Sequence, residues 1–280
     1  MRLARTHVTG KVWLVGAGPG DPELITVKGL RLVRAAEVVL YDRLAPPELL
    51  EEAPASAERI YVGKEAGSHH VPQDLIHRLL LDRARSGKTV VRLKGGDPLV
   101  FGRGGEELLF LRRFGIPCEV VPGVTSALGA AAAAQIPLTL RGVAATLLVT
   151  TGHLCGNSRE EEWSLAARAD TLVVLMPLAT LSRTVLSLIH GGKDAGTPAA
   201  LVENATRPQQ RVLTTTLGEL PALVEREAVS SPALLVVGPT VACSDAWVTR
   251  RHAGDGPADS PLPFAGAEPV TPDPGVGLLR

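Results

Sequence analysis

Short runs of β-branched and aliphatic residues recur along this chain, each separated from the next by a longer stretch whose apolar positions follow a helical period. Residues 12–15, 38–41, 59–62, 89–93 and 119–121 read as strands. The clearest helix between them covers residues 72–86. Leu75, Ile76, Leu79 and Leu80 fall on one face there, while His77, Arg78, Asp82, Arg83 and Arg85 fall elsewhere. Pro72 near the first turn and Gly87 just past the end suit the usual start and stop signals. Alternation of this kind predicts a largely parallel sheet covered by helices on both faces.

A break comes at Gln135-Ile-Pro-Leu-Thr-Leu-Arg141, followed by a second alternating set. Strands are expected at 146–151, 171–175, 199–202, 212–216 and 234–237, and helices at 178–190 and 217–227. The organisation expected is a short extension over residues 1–9, an α/β domain over 10–136, a second over 137–243, and a tail over 244–280. The last thirty residues hold six prolines and five glycines without apolar period, the composition of disordered segments. The fold class is therefore α/β, two domains with mainly parallel sheets and a cleft between them.

Charge and cysteine content narrow the function classes. Lys+Arg and Asp+Glu both number 29, and aromatics are 3%. Non-specific nucleic-acid binding rests on excess positive charge, and single-strand binding on stacking rings, so a nucleic-acid partner is not expected. The three cysteines, Cys118, Cys155 and Cys243, form no CxxC pair, so neither a disulfide framework nor a zinc site is indicated. The apolar stretch at 12–15 ends at Gly16, short of a secretory core, and 127–138 is short of the ~20 residues of a membrane span. A soluble, cytoplasmic protein is expected.

In an open parallel sheet, ligands bind beyond the carboxyl ends of the strands. The predicted strands of the first half run into Gly16-Ala-Gly-Pro-Gly-Asp-Pro22, Asp42-Arg43, Gly63-Lys64, Lys94-Gly-Gly-Asp-Pro98 and Pro122-Gly-Val-Thr125-Ser126. Tight turns account for any one of these, but five at one edge point to a site. Gly16 and Gly18, with Asp42 downstream, invite comparison with a dinucleotide loop. The third glycine is replaced by Asp21, however, and Pro19 and Pro22 obstruct the helix start that would hold a pyrophosphate. The loop suits a ligand without phosphate that needs close backbone approach. Asp97 can accept hydrogen bonds from a ribose or an amino group. Glu106 and Glu107 open a helix, where helix-dipole compensation is the simpler reading. Arg103, among three glycines, reads as functional.

These runs, with Tyr41-Asp-Arg-Leu44, Val62-Gly-Lys64, Phe101-Gly-Arg-Gly-Gly-Glu-Glu107, Thr151-Gly-His153 and Leu201-Val-Glu-Asn204, resemble the tetrapyrrole methylases, and within them the uroporphyrinogen-III C-methyltransferases. The resemblance covers roughly residues 10 to 240 in order. It implies S-adenosylmethionine as methyl donor, uroporphyrinogen III as substrate, methylation at carbons 2 and 7 to precorrin-2, and a homodimer. It also implies donor contacts at Pro19, Gly95, Gly96, Asp97, Val100, Thr125, Ser126, Met176 and Ala205. Asp42 would be proton acceptor and Lys64 proton donor. Where the family often reads His-Arg-Asp-Tyr-Ala, this chain has Leu140-Arg-Gly-Val-Ala144. Ala205 and Pro177 stand where glycine is common.

A sulfonium donor carries positive charge and no phosphate, which agrees with the missing phosphate loop. The porphyrinogen brings eight carboxylates to a protein with no net charge, so local cations must meet them. Arg43, Lys64, Arg103 and Arg141 are the candidates, with Glu106 beside Arg103 on the substrate side. Met176 alone reads as core filler, and only the resemblance makes it a donor contact. His153 and the adjacent His69-His70 have no partners at metal-ligand spacing, and no metal is expected. Alternatives are another precorrin methyltransferase of the same family, a nicotinamide-dependent dehydrogenase using Gly16, Gly18 and Asp42, and a tetrapyrrole-binding carrier.

Overall fold

The computed structural model describes residues 9–63, 72–152 and 160–252. The first half runs β1 (Lys11–Gly16), α1 (Val27–Arg34), β2 (Val38–Tyr41), α2 (Pro47–Glu51), β3 (Glu58–Tyr61), α3 (Gln73–Arg85), β4 (Thr89–Lys94), α4 (Gly104–Arg113), β5 (Cys118–Val121) and α5 (Ser126–Ala133). The second runs β6 (Leu147–Thr151), α6 (Glu160–Arg168), β7 (Thr171–Leu175), α7 (Leu181–His190), β8 (Pro198–Glu203), β9 (Arg211–Thr216), α8 (Leu220–Arg226), β10 (Ala233–Val237) and α9 (Asp245–His252). Every strand read from the sequence is present, within a residue or two of its expected ends.

The first sheet is parallel throughout, in the order β3-β2-β4-β1-β5. Side chains alternate across it. Val12, Leu14, Leu40 and Val90 meet α3 and α4 on one face, and Val15, Val39, Val91 and Leu93 meet α1 and α2 on the other. Leu14, Leu40, Leu80, Leu93 and Leu111 are fully buried, each worth ~1.5–3 kcal/mol of transfer from water. α3 is turned slightly from the expected face. Ile76, Leu80, Leu81 and Ala84 are buried, whereas Leu75 is exposed.

The second sheet, β6-β7-β10-β8-β9, is parallel only between β6 and β7. Parallel pairing still accounts for five of the eight strand pairs overall. The link from β8 to β9 spans only residues 204–210. A parallel crossover needs a dozen or more residues, so these strands close as a hairpin.

Two expected boundaries move. α5, placed before the boundary at 136 and 137, buries Ala127 and Ala130 against Val173, Val202 and Val236 of the second sheet. The alanine run makes a thin helix that can lie flat on that sheet. Asp245–His252, placed in the tail expected from 244, is helical, and Trp247, 2% exposed, packs into the same cluster. Residues 253–280 lie outside the described residues. No helix among the described residues is long and apolar enough to cross a membrane.

Candidate active site

At the carboxyl edge of the first sheet the glycine loops are fastened to one another. The Ala17 N–H donates to the Lys94 carbonyl at 2.7 Å, and Gly18 and Gly96 exchange backbone hydrogen bonds at 3.3 and 2.7 Å. Gly18 and Gly96 adopt φ of +80° and +68°, where a side chain would be strained. A Cβ on Gly16 would lie 2.6 Å from both the Gly123 Cα and the Gly96 carbonyl oxygen. Part of the glycine content therefore serves loop-to-loop packing, not ligand approach.

Facing this edge is the end of the second sheet, and between them lies a mostly apolar cleft of about 740 Å³ measured out to solvent. Seven of the nine expected donor contacts line it, namely Pro19, Gly95, Gly96, Val100, Ser126, Met176 and Ala205. Leu44, Phe101, Leu175, Val202, Arg207, Pro232, Ala233 and Leu234 complete the wall, and the sequence reading named none of them as site residues. Phe101, Met176, Asn204 and Thr206 all have φ between +48° and +63°. Non-glycine residues with positive φ cost energy and cluster where function holds them.

Asp97 and Thr125 are not among the lining residues. Asp97 Oδ1 accepts the Leu99 N–H at 2.8 Å and Oδ2 the Gly123 N–H at 3.1 Å, so its carboxylate ties the loop after β4 to the loop after β5. Thr125 caps α5, its hydroxyl accepting the Ala127 N–H at 3.4 Å. Asp21 Oδ1 accepts the Glu23 N–H at 2.8 Å. That bond caps a short 3-10 turn, Pro22–Leu24, and α1 begins only at Val27 with Thr26 as its cap, so β1 does not run straight into a helix start as a pyrophosphate site requires.

Asp42 follows β2, two residues before Leu44 of the cleft wall. Its Oδ1 accepts the Leu44 N–H at 3.1 Å and its Oδ2 accepts from Arg92 Nη2 at 3.1 Å. One residue therefore both caps its own turn and carries a tethered carboxylate. Arg92 continues to Glu107, which also meets Lys94 Nζ at 3.1 Å. Glu107 is completely buried and ion-paired, not merely a dipole-compensating surface acid. Burial first, and then the Arg92 charge, hold the Lys94 ammonium below the ordinary lysine range. The signal for this group was legible as charged residues inside a strand pattern, at Val91-Arg-Leu-Lys94.

The expected rim cations separate. Arg43 is exposed in the turn beside Leu44. Arg103, at φ +58°, forks onto Glu106 with Nε and Nη2 at 2.8 and 2.7 Å, and this pairing lowers the Glu106 pKa. Arg141 lines a separate hollow with Asp170 and is not brought to the cleft. Lys64, His69, His70, His153 and Cys155 lie outside the described residues. Among those described, no group of three His, Cys, Asp or Glu side chains is placed to hold a metal.

A family model described as Tetrapyrrole (Corrin/Porphyrin) Methylases matches residues 11–221. A siroheme synthase of Azotobacter vinelandii is 53% identical over 255 residues, covering 90% of this chain and 55% of that protein. The chain spans about half the length of the curated relatives it matches. Among solved structures, the native form of a uroporphyrin III C-methyl transferase from Thermus thermophilus is 45% identical with TM-score 0.72, covering 84% of this chain and 94% of that one. A second structure of that enzyme, complexed with S-adenyl homocysteine, is 47% identical with TM-score 0.71, covering 83% and 93%. A cobalt precorrin-4 methyltransferase aligns at 32% identity and TM-score 0.73, covering 86% and 99%.

Proposed function

The chain belongs to the tetrapyrrole methylase family, and on that premise we propose that it transfers methyl groups from S-adenosylmethionine to carbons 2 and 7 of uroporphyrinogen III, giving precorrin-2 for sirohaem synthesis. The observation that carries this reading is the cleft, which gathers Pro19, Gly95, Gly96, Val100, Ser126, Met176 and Ala205 from both halves of the chain.

The donor supplies an electrophilic methyl on a sulfonium. An electron pair of the pyrrole carbon forms the new C–C bond, the S–CH3 pair returns to sulfur, and the positive charge passes to the methylated ring. The apolar wall excludes water and holds the reactants at a near-attack separation of ~3–3.5 Å, which supplies most of the acceleration. Asp42 then accepts the proton whose loss neutralises the ring. Lys64 remains the proton donor by resemblance. Arg43, next to the cleft-lining Leu44, and Arg103, two residues after the cleft-lining Phe101 and paired with Glu106 of α4, are suited to the substrate's carboxylates.

The nicotinamide alternative lacks support, because a 3-10 turn at Pro22–Leu24 separates the glycine loop from the start of α1 at Val27, leaving no helix start directly after the loop to hold a dinucleotide phosphate. Assembly as a homodimer in the cytoplasm belongs to the same reading. The family resemblance supports it, and light scattering of the purified protein tests the assembly. The activity is tested by incubation with uroporphyrinogen III and isotopically labelled S-adenosylmethionine, followed by mass analysis. Addition of two labelled methyl groups supports the proposal. Substrate recovered unmethylated, with no S-adenosylhomocysteine formed, overturns it.

A further inference from the structure

The middle strand of the first sheet carries two cations where apolar side chains are expected. β4 lies between β2 and β1, and strands buried on both faces of a parallel sheet normally read as near-continuous Val, Ile and Leu. Val90, Val91 and Leu93 follow that rule, but the Arg92 and Lys94 side chains are only 4% and 5% exposed. Two residues apart, they share the face with Val90 that meets α3 and α4.

On that face Glu107 of α4 accepts from Arg92 Nε at 3.4 Å and from Lys94 Nζ at 3.1 Å, both on Oε1. Gln73 of α3 adds its amide to the same oxygen at 3.2 Å, and Glu107 Oε2 has no partner. The guanidinium is held along its other edge as well, with Nη1 donating to the Leu93 carbonyl at 2.9 Å. Its remaining nitrogen, Nη2, reaches Asp42 Oδ2 at 3.1 Å. Asp42 is the member of this ion group that meets solvent, its side chain 24% exposed.

Buried ion pairs are weak stabilisers, since apolar side chains of equal volume are often as good or better. What such a group does well is fix the geometry of its members. Here one solvent-facing carboxylate, two residues before the cleft-lining Leu44, is held at both oxygens, by the Leu44 N–H and by an arginine that is itself immobilised. We propose that Arg92, locked by Glu107, is a positioning residue that holds Asp42 in the orientation from which it accepts the proton of the methylated ring. In that step the C–H pair returns to the ring and the proton goes to the carboxylate. The inference rests on the role of Asp42 proposed above.

The test compares Arg92→Met, Arg92→Lys and Glu107→Gln, alone and in an Asp42→Asn background, by turnover of both substrates and calorimetric affinity for S-adenosylhomocysteine. Arg92→Met is expected to lower kcat about 30- to 100-fold, with KM values and the calorimetric affinity within about threefold of wild type. Arg92→Lys should recover part of that loss. In the Asp42→Asn background the same substitution should cost less than about threefold, because residues acting as a unit are not additive. Fully additive losses, or losses confined to KM with kcat intact, overturn the proposal. Should Arg92→Met fail to fold, Glu107→Gln keeps the side-chain volume and should give a smaller loss of kcat with the same split; an unaltered kcat there overturns it too. Near-normal turnover by Asp42→Asn removes the base on which the inference rests, whereas a wild-type protein that makes no methylated product removes the substrate reading instead.

Discussion

Arg207 reaches from the second half of the chain to the first, its Nη2 donating to the carbonyl oxygen of Leu44 at 3.0 Å. Its side chain also packs over Gly20, where a Cβ would meet the Arg207 Cγ at 2.8 Å. Both Leu44 and Arg207 line the cleft, so this bond joins its two walls, and the Asp21 N–H donating to the Thr206 hydroxyl at 2.9 Å adds a second link between the two halves. Arg207→Ala is expected to weaken S-adenosylhomocysteine binding by about three- to tenfold, the loss of roughly one modest hydrogen bond. Calorimetry measures it, and an affinity equal to wild type would show that the walls need no such tie.

Asp97 makes a different prediction from a residue that touches the donor. With both carboxylate oxygens accepting backbone N–H groups, Asp97→Ala leaves the Leu99 and Gly123 donors without their partner. Charge-assisted bonds of this sort contribute about 1.5–3 kcal/mol each. The variant should lose thermal stability and donor affinity together. A loss of affinity at unchanged Tm would return Asp97 to direct contact.

Gly16→Ala tests the backbone contact of the three loops. The added methyl would meet main-chain atoms of Gly96 and Gly123, which cannot swing aside as a flexible side chain can. Overpacking of this kind costs about 1–3 kcal/mol. Denaturant unfolding should show that loss, accompanied by weaker donor binding, since Gly96 lines the cleft.

Asp170 gives a pH dependence. Its Oδ2 accepts the N–H groups of Thr146 and Ala145 and the Thr146 hydroxyl, each at 2.9 Å, and these bonds hold its carboxyl below the usual aspartate range. With a native pKa below the unfolded one, the stabilisation is fully present above the unfolded value of ~3.9 and is lost as pH falls through the lower native value. Asp170→Asn should therefore be less stable than wild type at neutral pH, with the gap closing on acidification. Urea titrations at pH 7 and below pH 4 measure it; a gap independent of pH would mean that the charge contributes nothing.

The strands, the glycine-rich edge and seven residues that line the cleft were legible in the sequence because each depends on local information or on a motif it carries. Period, β-branching and the residues at a strand's end all lie within a few positions of one another. The pairing in the second sheet was partly legible too, since the seven-residue link between β8 and β9 leaves no room for a crossover helix. What the sequence left hidden depends on residues far apart in the chain. Arg92 and Asp42 are 50 residues apart, and nothing local announces that the cation of one strand faces the acid of another. Asp97 and Gly123 are 26 apart, and Arg207 and Leu44 are 163 apart.

The sequence by itself determined two alternating α/β sets and an edge shaped for a ligand without phosphate, because side-chain period and turn chemistry act over a few residues. Only the tertiary structure decided that α5 belongs to the second core, that Asp97 ties the loop after β4 to the loop after β5, and that Asp42 is held by a buried guanidinium. Those outcomes follow from which faces remain to be covered and which charges must find partners once the sheets have formed, and burial settles them across the whole chain at once.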